Sequence, residues 1–153
     1  MIILDLPDEA ATAALAGRLA ALSEPGDVLG LAGELGAGKT TFARAFIRAR
    51  GAADEEVPSP TFTLVQIYEA PGAAIWHFDL YRLDTAGDAW ELGIEEAFAS
   101  AISLIEWPDR LGPLLPRRRL AVTLEFADRP EARRAVLAGA AWRARLSTMT
   151  VDG

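Results

Sequence analysis

The chain has 153 residues, 51% hydrophobic and 24% charged, which suits one domain with an apolar core and excludes a disordered or fibrous protein. With no cysteine and a single histidine it has no disulfide, no thiolate metal site and no histidine-rich one, so any bound metal is expected to be held by oxygens. A net charge of −7 with a pI near 4.7 argues against a broad nucleic-acid surface, which needs clustered cations to neutralise phosphates.

Met1 to Asp5 has neither the basic start nor the apolar length of a signal peptide, and no apolar run reaches the roughly 18 residues of a membrane span. A cytoplasmic protein that does not enter a membrane is therefore expected. From Asp8 to Leu22, Ala11, Leu15, Leu19 and Leu22 recur at helical spacing behind an acceptable cap. Pro25-Gly26 stops that helix, and Val28 to Ala32 is a short continuous apolar run of the kind that forms a central strand covered on both faces. From Thr40 the pattern is helical again, with Phe42 and Phe46 one turn apart, and it ends near Gly51.

Glu55 to Pro60 reads as a loop, because its two prolines remove donors and push their neighbours out of helical geometry. Thr61 to Tyr68 and Ala74 to Leu80 read as two strands of a hairpin around Pro71-Gly72. Thr85 to Phe98 has helical tendency broken at Gly93, and Ile102 to Glu106 is another apolar strand. Leu120, Val122, Leu124 and Phe126 alternate along a half-buried strand, against which Arg134 to Ala138 returns. The triplet Arg117-Arg118-Arg119 is read as a solvated rim or a partner contact. Residues 1–153 show no internal repeat or linker and read as one domain, frayed from about Ser147 onward.

The segment Gly33-Glu34-Leu35-Gly36-Ala37-Gly38-Lys39-Thr40 matches the phosphate-binding loop G-x-x-x-x-G-K-[ST]. Its glycines let the backbone curl so that amide N–H groups point inward at phosphate oxygens, and the following helix adds its positive end. In that reading Lys39 is a solvated, functional charge that reaches the β- and γ-phosphates of ATP, the Thr40 hydroxyl is a ligand of Mg2+, and Thr41 bonds the α-phosphate. The strand before the motif and the helix after it are both legible, and Lys39 is the only lysine among the fifteen lysines and arginines. A lysine there in a chain that otherwise uses arginine fits a site requiring a compact, flexible ammonium.

Such a loop needs a carboxylate at the end of a nearby strand to hold the metal, and two are available: Asp79 and Glu106. His77 lies on the same strand face as Asp79 by the period of two, and is read either as a residue that only packs or bonds structurally or as a member of the same site. Arg82 is placed either to stabilise charge on the γ-phosphate or to form a salt bridge. Trp107 is either an exposed contact residue or, by default for a lone aromatic, a core residue. Thr61 and Thr63 lie where proteins with this loop often place a segment that senses the γ-phosphate.

Together with Ser59-Pro60-Thr61-Phe62-Thr63-Leu64-Val65, His77-Phe78-Asp79-Leu80-Tyr81-Arg82-Leu83, Leu92-Gly93-Ile94-Glu95-Glu96 and Ile105-Glu106-Trp107-Pro108, the loop resembles the TsaE (YjeE) family of small bacterial ATPases. The pieces occur in the family's order and span about half of the chain; the C-terminal third matches only loosely. The resemblance implies an α/β P-loop NTPase-like three-layer fold with a mixed central sheet. It also implies a role in making threonylcarbamoyladenosine in tRNA, in which the protein docks on a TsaB-like and TsaD-like pair and its ATP cycle resets them for repeated turnover. The tRNA would be met only indirectly, through that complex. By carry-over, Glu34 to Thr41 hold the nucleotide, Thr40 and Glu106 the magnesium, Lys39 and Asp79 support hydrolysis, and Thr61, Tyr81, Arg82 and Trp107 belong to a nucleotide-sensing or partner-facing region. Two other readings remain open: a small-molecule kinase, disfavoured because the acidic stretch Asp84 to Ser100 lacks the arginine of a kinase lid, and a nucleotide-binding scaffold without hydrolysis.

Overall fold

The computed structural model describes residues 1–51 and 64–151. Among these residues seven strands form one sheet in the order β1-β7-β6-β2-β5-β4-β3. The four middle strands, β6 (Leu120–Phe126), β2 (Val28–Ala32), β5 (Ile102–Glu106) and β4 (Ile75–Asp79), run parallel to one another. Antiparallel pairs flank them: β3 (Val65–Tyr68) on β4, and β7 (Arg133–Ala138) and β1 (Ile2–Leu6) beyond β6. The sheet is therefore mixed, as expected.

Burial explains which strands occupy the middle. β4 and β5 are buried at every position, and β2 at all but its last residue, which is what helices on both faces of a parallel sheet demand. Alternate residues of β2 enter different cores. Leu29 and Leu31 pack with α1 (Glu9–Leu22), α2 (Lys39–Ala49) and Trp142 and Leu146 at the C-terminal end. Val28 instead joins Phe78, Ile105 and the residues of α3 (Ile94–Ser100) and the neighbouring 3-10 segments, Ala86–Leu92 and Pro108–Leu114, on the opposite face. The result is three layers.

The helices begin and end where local chemistry directs them. Asp8 caps α1 by accepting from the Ala11 amide at 2.9 Å. Leu15 and Leu19 of that helix meet α2, whose Phe42 and Phe46 are fully buried and contribute about 1.5–3 kcal/mol each by leaving water. Gly93, in the left-handed region at φ 87°, separates the 3-10 segment from α3 at the expected break.

Two stretches differ from expectation. Ile2 to Leu6 forms edge strand β1, which the sequence reading left without structure; its pairing partner β7 lies more than 120 residues away, so no local signal announces it. At the other end, α4 (Arg143–Val151) occupies the segment expected to fray from Ser147, and Leu146 and Trp142 anchor its start in the core. The loop Glu55 to Pro60 and the first residues of the expected strand from Thr61, including Thr61 and Thr63, lie outside the described residues. Arg117 and Arg118 are exposed, in keeping with a solvated rim.

Candidate functional site

Strand β2 delivers the chain into the glycine loop, and α2 carries it away. A Cβ on Gly33 would stand 2.4 Å from the Leu124 carbonyl oxygen of β6, so only glycine lets the loop leave the sheet so close to its neighbour. Gly38 opens α2 in the left-handed region, at φ 108°. Between them the Ala37 amide donates to the Glu34 carbonyl at 3.0 Å and closes the curl.

Strand register then assembles the side chains. β4 and β5 are parallel with Asp79 opposite Glu106, and Leu31 of β2 lies opposite Glu106 on the other side, so both carboxylates emerge beside the loop. The Thr40 hydroxyl donates to both Glu106 carboxylate oxygens, at 3.2 and 3.3 Å. His77, fully buried, holds the same carboxylate through Nε2 at 2.6 Å. Glu106 is thus fixed from two sides. Asp79 accepts from the Tyr81 amide at 3.2 Å.

Lys39 corrects the picture of a solvated charge. It is 4% exposed, donates from Nζ to the Gly33 and Glu34 carbonyls at 2.6 and 3.0 Å, and lies 4.1 Å from the centre of the Trp107 ring. Burial pushes its pKa down, while the charges of Glu106 and Asp79 push it back up. Trp107 packs against the core on the α3 side of the sheet, but only at its edge. Half-buried, with a left-handed backbone at φ 61°, it turns its ring toward the loop and packs against Tyr81 at 4.9 Å.

A cavity of about 430 Å³ unites these groups. Leu35, Gly36, Gly38, Lys39, Thr40 and Thr41 line it from the loop and helix, and Asp79, Tyr81, Arg82, Glu106 and Trp107 from the neighbouring strand ends. Gly33, Glu34 and Ala37 are the loop members that do not line it: Gly33 and Glu34 border a recess against β6, and Ala37 one against α1. His77 is one of the residues whose part spacing leaves undecided. Its period-two relation to Asp79 was a usable signal, but its bond to Glu106 depends on a strand pairing that spacing alone does not reveal.

The Asp79 environment yields an expected result. Burial raises its pKa above the usual carboxylate value; the Tyr81 amide lowers it in part, Glu106 raises it further, and His77 and Lys39 lower it. An acid whose folded pKa is raised favours folding most below its unfolded pKa, and loses that contribution as pH rises through the folded value. At pH 7 the group therefore contributes less to stability than it does at low pH. Asp79→Asn, which keeps an oxygen for the Tyr81 amide, should raise the melting temperature in EDTA at pH 7 by about 1–4 °C, and the gain should shrink as the pH falls toward 4. A lower melting temperature, or a gain independent of pH, would contradict this electrostatic account.

A strand, a glycine loop and a helix in succession at the centre of a mixed sheet place the molecule in the P-loop class of α/β proteins. The family model described as threonylcarbamoyl adenosine biosynthesis protein TsaE matches residues 6–136, and the chain belongs to that family. It is 39% identical over 123 residues to the tRNA threonylcarbamoyladenosine biosynthesis protein TsaE of Rickettsia bellii, covering 80% of this chain and 85% of that one. The protein of the same description from Bacillus subtilis is 38% identical over 126 residues, or 82% and 77% of the two chains. The crystal structure of Bacillus subtilis YdiB superposes with a TM-score of 0.81 at 29% identity, covering 99% of this chain and 93% of that one. Membership in the family carries a role in tRNA threonylcarbamoyladenosine biosynthesis. Among the described residues no helix is long and apolar enough to cross a membrane.

Proposed function

We propose that the chain binds ATP with Mg2+ and hydrolyses it slowly, as the cytoplasmic ATPase that keeps a TsaB–TsaD-like pair turning over during tRNA threonylcarbamoyladenosine synthesis. The observation that carries this reading is the Thr40 hydroxyl bonded to Glu106 at 3.2 Å beside the buried ammonium of Lys39. In P-loop proteins these positions serve the metal and the terminal phosphates.

The residues fit that use. Among the described residues no three His, Cys, Asp or Glu side chains form a self-sufficient metal cage. Magnesium does not need one, because it keeps waters and takes phosphate oxygens beside one or two protein ligands. Thr40 and Glu106 would hold it, with His77 orienting the carboxylate; bound there, it would neutralise charge on the β- and γ-phosphates. Lys39 would exchange the Gly33 and Glu34 carbonyls for phosphate oxygens, Thr41 would bond the α-phosphate, and Asp79 would orient the attacking water. Arg82, Tyr81 and Trp107 line the same cavity and are suited to report its occupancy to a partner.

Hydrolysis by the isolated chain is expected to be slow, since unaided P-loop sites work at about 10⁻⁴ to 10⁻² s⁻¹ and often depend on a partner for the missing group. A net charge of −7 opposes direct capture of tRNA. Gel shifts and calorimetry with purified components should show ATP-dependent binding to a TsaB–TsaD-like pair and no salt-sensitive binding of tRNA to the chain alone. Tight tRNA binding by the isolated chain would overturn the partner-coupled reading and leave the ATP site standing.

A further inference from the structure

The far side of the glycine loop is gripped by a residue that lies outside the sequence motifs. Arg133 opens β7 directly opposite Phe126, the last residue of β6. Its guanidinium lies 4.7 Å from the centre of the Phe126 ring. Nη1 donates to the Pro130 and Ala132 carbonyls, both at 2.7 Å, which fixes the group on its own turn. The other two nitrogens reach the loop: Nε donates to the Ala37 carbonyl at 3.1 Å and Nη2 to the Gly36 carbonyl at 3.3 Å. Phe126 is 50% exposed although its alternation with Leu120, Val122 and Leu124 suggests an inward position, and its ring instead lies beside Gly36.

In a planar trans peptide the carbonyl and the following N–H point in opposite directions. Pinning the Gly36 carbonyl outward therefore turns the Ala37 amide inward, where it donates to Glu34. Pinning the Ala37 carbonyl likewise turns the Gly38 amide away from Arg133, and a cation on the carbonyl side polarises that peptide so that its N–H is a better donor to an anion. We infer that Arg133, braced by Phe126, is a positioning residue for phosphate binding that holds the curl of the loop and with it the Gly38 amide in its anion-binding orientation. This inference rests on the nucleotide reading above, and adds to it a residue from the β6–β7 hairpin.

The test compares Arg133→Met, which keeps the stem on Phe126 but loses every donor, with Arg133→Lys, which can reach one carbonyl. Calorimetry with Mg-ATP should give Arg133→Met a dissociation constant about tenfold above wild type, with Arg133→Lys between the two. In nucleotide-free protein, amide exchange followed by NMR should quicken at Ala37 and Gly38 in Arg133→Met and stay at the wild-type rate in β2 and α1. A purely structural brace would lower the melting temperature and leave both the affinity and the local exchange pattern unchanged, and that result would overturn the inference. If wild type itself fails to bind ATP, the nucleotide reading falls and the phosphate role of Arg133 falls with it; the exchange data then decide only whether Arg133 orders the loop.

Discussion

Lys39→Ala and Lys39→Met should each weaken ATP binding by about 100-fold or more while the protein remains folded. Removing one partner of a desolvated charge pair costs several kcal/mol, and the phosphates would lose the only ammonium of a lysine that the chain possesses. Stability should respond far less. The substitution removes two hydrogen bonds to the Gly33 and Glu34 carbonyls and the contact with Trp107, but it also removes a cation that burial penalises. The methionine variant keeps the apolar stem in place, so it separates lost charge from lost packing. Calorimetry beside thermal melting checks both quantities. Wild-type affinity in either folded variant would end the claim that this loop holds nucleotide phosphates.

Glu106→Gln should raise the magnesium concentration needed for half-maximal nucleotide binding by about 10–100-fold. Glutamine matches the shape and can still face Thr40 and His77, so the strand ends should stay assembled. What it lacks is the charge that draws a divalent cation. Asp79→Ala provides the contrast: its effect should fall on hydrolysis more than on binding, because Asp79 is not bonded to Thr40 and lies one strand further from the loop. Magnesium titrations of both variants that overlay wild type would remove both carboxylates from the metal site.

Most of the candidate site is legible in the sequence because its parts are local. A strand, a curled loop and a helix within about twenty residues are encoded by an apolar run, three glycines and a returning 3.6-residue period, and those signals need no tertiary knowledge. Asp79 and Glu106 were legible for a similar reason: each closes a short apolar strand. The residues that escaped are those whose roles arise from pairing. His77 meets Glu106 because β4 lies parallel to β5, Arg133 meets the loop because the β6–β7 hairpin ends beside it, and β1 exists because β7 offers it an edge. Burial was also misjudged where a charge finds compensation. Lys39 is buried because two carbonyls and an aromatic face receive its ammonium, and Trp107 adopts a left-handed backbone to supply that face.

The most direct measurement is reconstitution of tRNA threonylcarbamoyladenosine synthesis from purified TsaB-like and TsaD-like proteins, with ATP and tRNA in large excess over the pair. Modified tRNA should accumulate through many cycles when this chain is present. It should stop near one equivalent of the pair when the chain is omitted or replaced by Lys39→Ala. Equal multiple-turnover yields with and without the chain would contradict the proposal that its ATP cycle sustains the modification.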